Sequence, residues 1–193
     1  MQSSRLRKIR LALIVVMAGL VLSGLTAFPI LWELDLLLGG LAPGQEHGPL
    51  VNWLVTVRQG LATAYSHSPW LAYGTDWLAF AHLLLAILFV GPWRDPARNL
   101  WVIEFGLLAC VLVLPLALVC GPLRGIPWFW RLIDCCFGML AFPPLWLARR
   151  WTLEGLEQTQ DLGPLQKDAL EARQVDPAKD LAHLVEEGHH LPV

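Results

Sequence analysis

The chain has 193 residues; 55% are hydrophobic, 16% are charged and ten are tryptophan. Soluble domains carry about 25% charged residues, so this composition argues against an ordinary water-soluble globule, and a formal net charge of −2 gives nucleic acid no electrostatic handle. The charge is also divided: residues 1–150 are apolar with sparse charge, while 151–193 hold nine of the sixteen acidic residues.

Four windows, at 9–31, 72–91, 100–121 and 129–147, meet the roughly 20 predominantly apolar residues that a membrane-spanning helix needs. The reading is an all-α polytopic membrane protein. A four-helix transmembrane domain fills 1–150, an outer interfacial amphipathic helix lies at about 49–66, and a soluble acidic tail fills 151–193. Arg5, Arg7, Lys8 and Arg10 cluster at the start of the first window, ahead of its unbroken apolar run, as they would before a signal peptide, but no small-x-small cleavage site follows cleanly and an uncleaved anchor is the reading.

Between the first two windows, Pro49 opens a helical pattern with Leu50, Trp53, Leu54, Val57, Leu61 and Tyr65 on one face and polar residues on the other. Such a helix lies in the outer interface or covers the mouth of the bundle. Gly91-Pro92-Trp93-Arg94 and Gly121-Pro122-Leu123-Arg124 read as stop signals ending the second and third windows. Pro115 and Pro143-Pro144 predict kinks. In the tail, Pro164 and Asp176-Pro177 each read as opening a short helix, and His189-His190 as a terminal segment without a metal.

Basic residues set the orientation. The four at the start of the first window, Arg94 and Arg98, and Arg149 and Arg150 all fall on one side; only Arg58, Arg124 and Arg131 fall on the other. By the positive-inside rule both termini face the cytoplasm. All ten tryptophans take belt positions, Trp32, Trp53, Trp70, Trp77, Trp128 and Trp130 outside and Trp93, Trp101, Trp146 and Trp151 inside.

Small residues mark packing seams between helices in lipid. They are Gly19, Ser23 and Ala27 in the first window, Thr75, Ala79 and Ala86 in the second, with His82 on the same face and so expected to point into the bundle, Gly106, Cys110, Ala117 and Gly121 in the third, and Gly138 and Ala141 in the fourth. Cys110, Cys120, Cys135 and Cys136 all sit in apolar runs without a C-x-x-C and read as buried free thiols.

Ionisable residues at membrane depth cost several kcal/mol unless paired or hydrated. Asp76, His82, Arg124, Arg131 and Asp134 converge by depth and face on one candidate polar site in the outer leaflet. One reading makes it structural, an Arg131–Asp134 ion pair with His82 completing the hydrogen bonds. The other makes it a pocket for a small anion, lipid headgroup, quinone or proton. Glu104, near the inner boundary, is expected to pair with Arg94, Arg98 or Arg149. Bis-histidine haem ligation, zinc-protease H-E-x-x-H and serine-hydrolase G-x-S-x-G patterns are absent, and neither cofactor nor metal is implied.

Three stretches carry a resemblance: GTDWLAFAH at 74–82, GPWRDP with WVIEFG at 91–106, and GPLRGIP with WRLIDC at 121–135. They resemble a group of bacterial four-helix membrane proteins with no assigned activity, which implies four spans and a bacterial envelope over about 9–150 and nothing catalytic. The function expected is that of a non-enzymatic accessory or small-ligand-binding subunit, its tail 152–193 being the contact for a protein partner. The alternative is a membrane-embedded enzyme or proton-coupled carrier built on His82 and Asp134.

Overall fold

The computed structural model describes residues 3–40 and 48–174, with the backbone alone at 159, 161, 162 and 164–174. The described residues are all-helical, without strands, and four helical stretches are long and apolar enough to cross a membrane. These are Ser3–Ala27, Trp70–Arg94, Leu100–Leu123 and Trp128–Gln158.

Helix α1 (Ser3–Ala27) gives way at Pro29, whose ring cannot continue the helical hydrogen bonding, and the chain turns into α2 (Ile30–Leu38). Glu33 sits in the first turn of α2, where a carboxylate complements the helix dipole. Helix α3 (Pro49–His67) starts with Pro49 in the first turn, as the sequence predicts. The α2 helix was not foreseen; it packs beside α3, and Arg58 Nε donates to Asp35 Oδ1 across the pair at 2.7 Å. A 2.9 Å hydrogen bond between the Tyr65 and Thr75 hydroxyls ties α3 to α4 (Trp70–Leu88).

The two long stretches do end within the Gly-Pro tetrapeptides, at Arg94 and Leu123, but not by the expected mechanism: neither Gly91 nor Gly121 is a left-handed cap. Gly91 and Pro92 lie within α5 (Val90–Arg94), and Gly121 and Pro122 within α7 (Gly121–Leu123). What ends the third stretch is Gly125, the one described residue with a left-handed φ, at +69°. There Ile126 N–H bonds Gly121 C=O at 3.0 Å and Gly125 N–H bonds Pro122 C=O at 3.1 Å, the Schellman pattern.

Helix α6 (Leu100–Pro115) continues as a π-helical segment, Leu116–Cys120. Pro115 has no N–H to bond back along the helix, and the turns after it widen. Helix α8 runs unbroken from Trp128 to Gln174, through Pro143-Pro144 and through Pro164. Pro164 therefore opens no new helix; the helix expected at Asp176-Pro177, like His189-His190, lies outside the described residues.

Packing follows a chain of neighbours. α1 pairs with α4, α6 with α8, and α1 with α8; among the described residues no seam joins α4 to α6 or α8. The buried core of Ile9, Leu13, Val16, Phe89, Val102, Ile103, Leu145 and Ala148 lies toward one end, the end that carries Ser3. Towards the opposite end the helices remain in contact as two pairs. Gly24 of α1 meets the backbone of Ala79, and Gly138 of α8 meets that of Cys110. The first-window stripe was misplaced: Gly19 faces open space and Gly24 forms the seam.

At the core end, cations lie over tryptophan rings: Lys8 on Trp151, Arg10 on Trp93 and Arg150 on Trp146, at 6.0, 5.4 and 5.8 Å from the ring centroids. Glu104 pairs with Arg149 at 2.9 Å. Arg149 is one of the three partners expected for it; of the other two, Arg98 turns to Asp95, and Arg94 has no ion pair among the described residues.

Candidate functional site

The π-helical segment builds one wall of a pocket of about 280 Å³ at the end opposite the core. Val113, Leu116, Ala117 and Ile126 supply apolar lining, and Cys120, Gly121, Arg124 and Asp134 supply the remainder. Val113 to Gly121 is eight residues, about 12 Å along a helix axis. Val113, Leu116 and Ala117 therefore lie toward the middle of the helices, Arg124 and Ile126 sit at the turn around Gly125, and Asp134, within α8, stands between them.

Arg131 adjoins this pocket through Gly121. A Cβ on Gly121 would overlap Cγ and Cδ of Arg131, so the arginine stem crosses the helix where only glycine leaves room for it. Arg131 Nε is buried and has no hydrogen-bond partner among the described residues. Its pairing with Asp134 is not formed: no ion pair within the described residues joins Asp134 to Arg131 or to Arg124. The two arginines and the carboxylate share one region without neutralising one another by contact.

Of the five residues expected to converge, the structure brings together Arg124 and Asp134 as lining and Arg131 beside them. Asp76 and His82 are not part of this pocket. Both lie on α4, whose seam is with α1 and not with α8. Ala79 and Leu83 face Gly24 of α1, and Ala86 is buried on the same line; His82 lies about 70° around the helix from it. His82 is half-buried, and its Nδ1 is 2.8 Å from the Leu78 carbonyl of its own helix. Depth counting could not say which helix α4 would touch.

The sequence reading also missed pocket residues. Cys120 was taken as buried, yet it is exposed and lines the pocket; Cys136 is exposed too, Cys135 is buried and Cys110 is half-buried. All four are free thiols, as expected. The available signal for the pocket was Pro115 followed at helical spacing by the small residues Ala117 and Gly121.

The interfacial helix does not cover this site. α3 packs on α2 and on the start of α4, and among the described residues it forms no seam with α6 or α8. No group of three or more histidine, cysteine, aspartate or glutamate side chains among the described residues could hold a metal ion. Compared with protein families, characterised proteins and solved structures, the chain matches none, so the likeness carried by its three stretches places it in no family.

Proposed function

We propose that the chain is a four-span protein of a bacterial inner membrane, with both termini in the cytoplasm, acting as a non-enzymatic subunit that binds a small amphiphile at the outer-leaflet pocket. Four long apolar helices support the membrane assignment, and the exposed rings of Trp32, Trp70, Trp77 and Trp128 at one end and Trp101 and Trp146 at the other suit two interfacial belts. Eight lysines and arginines at the core end against three at the pocket end support the orientation. Reporter fusions after Arg98 and Arg150 should read cytoplasm and one at Gly125 the exterior; an exterior signal after Arg150 removes the four-span topology.

The polarity gradient of the pocket carries the functional reading. Val113, Leu116 and Ala117 occupy its membrane-depth end, Asp134 stands part-way up, and Arg124 lies with Ile126 at the turn, so an outer-leaflet amphiphile would bring its tail to the first three and its head to the two charged residues. Ligand sites run from about 300 Å³ upward, so an open groove of about 280 Å³ has room for a head and its first chain carbons at most, with the tail remaining in the bilayer. Binding is favoured over the enzyme or carrier alternative because His82 bonds its own helix and sits on a helix that has no seam with α8. A general acid–base pair needs its members within hydrogen-bond reach or one water of the reacting group.

The test is native mass spectrometry of the full chain extracted in a mild nonionic detergent. The wild type should retain one small amphiphile per chain. Cys120→Trp, which fills the pocket from an exposed position, should lose it at unchanged melting temperature. Retention by Cys120→Trp, or a wild type that carries nothing, rejects the pocket as the binding site.

A further inference from the structure

Resting on the reading of this pocket as an amphiphile site, we infer that the ligand is an acidic lipid with a monoanionic phosphodiester head, and that Arg131, laid across Gly121, is the residue that recognises the charge.

Three observations carry this. First, Arg124 and Asp134 line the pocket and Arg131 stands beside it across Gly121, so the three together carry a fixed charge of +1, which a single negative charge neutralises. Second, Arg131 keeps a buried Nε without a partner, although Asp134 is only one turn along the same helix. A buried donor left unsatisfied is costly, and a phosphate oxygen delivered with the head removes that cost. Guanidinium matches phosphate in planar geometry, and a charge-assisted hydrogen bond of this kind is stronger than one to a neutral acceptor. Third, the positions run against the charge bias of the chain. Arg124 and Arg131 stand on the side with few cations, at the pocket, and Arg58, the other cation of that side, is already paired with Asp35.

The apolar lining decides between a lipid and a free anion. Val113, Leu116, Ala117 and Ile126 offer nothing to inorganic phosphate but accept the first methylenes of a lipid chain. Asp134 adds selectivity: a head with a hydroxyl can donate to its carboxylate, and a second negative charge is repelled by it. Phosphatidylglycerol has the required chemistry, one phosphodiester charge and free hydroxyls.

The experiment titrates the full chain in nonionic detergent with dioleoyl phosphatidylglycerol, dioleoyl phosphatidylcholine, dioleoylglycerol and inorganic phosphate, counting bound molecules by native mass spectrometry. One phosphatidylglycerol should bind about tenfold or more tighter than the uncharged diacylglycerol, and Arg131→Gln and Arg124→Gln should each remove most of that preference. Arg58→Gln, away from the pocket, should leave it intact. Should Arg131→Gln fail to fold, Gly121→Ala keeps the charge and displaces the stem, and should produce the same loss. Equal binding of phosphatidylglycerol and diacylglycerol, both lost in Cys120→Trp, overturns the anion recognition while leaving the amphiphile pocket standing. Binding of every lipid undisturbed by Cys120→Trp removes both. Displacement of phosphatidylglycerol by inorganic phosphate at equal concentration would make the ligand a free anion and overturn the lipid assignment.

Discussion

A Cβ built on Gly138 would stand 2.6 Å from the Cys110 carbonyl oxygen, and one on Gly24 would stand 2.9 Å from that of Ala79. Both obstacles are backbone atoms of a packed helix, which cannot rotate away as a side chain can. Gly138→Ala should therefore cost about 1–3 kcal/mol of stability by overpacking, and Gly24→Ala should act in the same direction. Gly19 has nothing within 4 Å of the same construction. Gly19→Ala should be neutral or stabilising, since alanine is the better helix former by about 1 kcal/mol. Thermal melting of the three variants in one detergent orders them, and a Gly19 variant less stable than the other two would refute the seams. Gly106, Gly138 and Ala79 were legible in the sequence because small residues stand out among leucine and valine. Gly24 was not, because α1 is apolar on every side and its sequence does not mark which line of small residues meets a neighbour.

The same limit operates on whole elements, and Pro115 shows it most clearly. Proline announces a missing N–H, but the sequence alone does not say whether the helix bends or widens into π geometry. Here it widens over Leu116–Cys120, and the segment ends where Gly121 accepts the stem of Arg131. A π turn inserts about one residue into the helical register, so everything beyond it is rotated by about 100° relative to a regular helix. Pro115→Ala restores the N–H and allows the register to tighten. Gly121 and Arg124 would then leave the face that meets Asp134. The expected outcome is a variant at least as stable as the wild type in thermal melting that binds phosphatidylglycerol several-fold more weakly. Unchanged binding would mean that the π segment does not position the site. The helices themselves were legible from apolar length. The α2 helix was missed because the first apolar window was carried through Pro29 to Leu31 and the residues after it were assigned to the outer connection, which divides the nine-residue helix between the two.

At the scale of the molecule, the packed core and the pocket occupy opposite ends. The four long helices converge around Leu13, Phe89, Ile103 and Leu145, and farther from that core the α1–α4 and α6–α8 pairs keep their own seams. Asp76 and His82 are thereby held apart from the pocket, although depth counting set His82 level with Asp134 and Asp76 level with Arg124; depth follows from chain position, whereas neighbours depend on tertiary packing. The core also reaches past the compositional boundary at 150/151. Thr152 is fully buried, with its hydroxyl donating to the Ala148 carbonyl at 2.7 Å, and Gln158 accepts a 2.8 Å hydrogen bond from Arg5. Acidity begins at Glu154 because the helix enters water there under the proposed topology, but packing against α1 continues alongside it. Truncation after Trp151 should therefore lower the melting temperature of the detergent-solubilised protein, on the scale of about 1–2 kcal/mol for the loss of a buried side chain and a helix–helix contact. Truncation after Gly163 keeps Thr152 and the Arg5–Gln158 bond and should leave melting unchanged. Equal melting of the two truncations would show that the core ends at Trp151 and that the helix beyond it contributes nothing to holding α1 against α8.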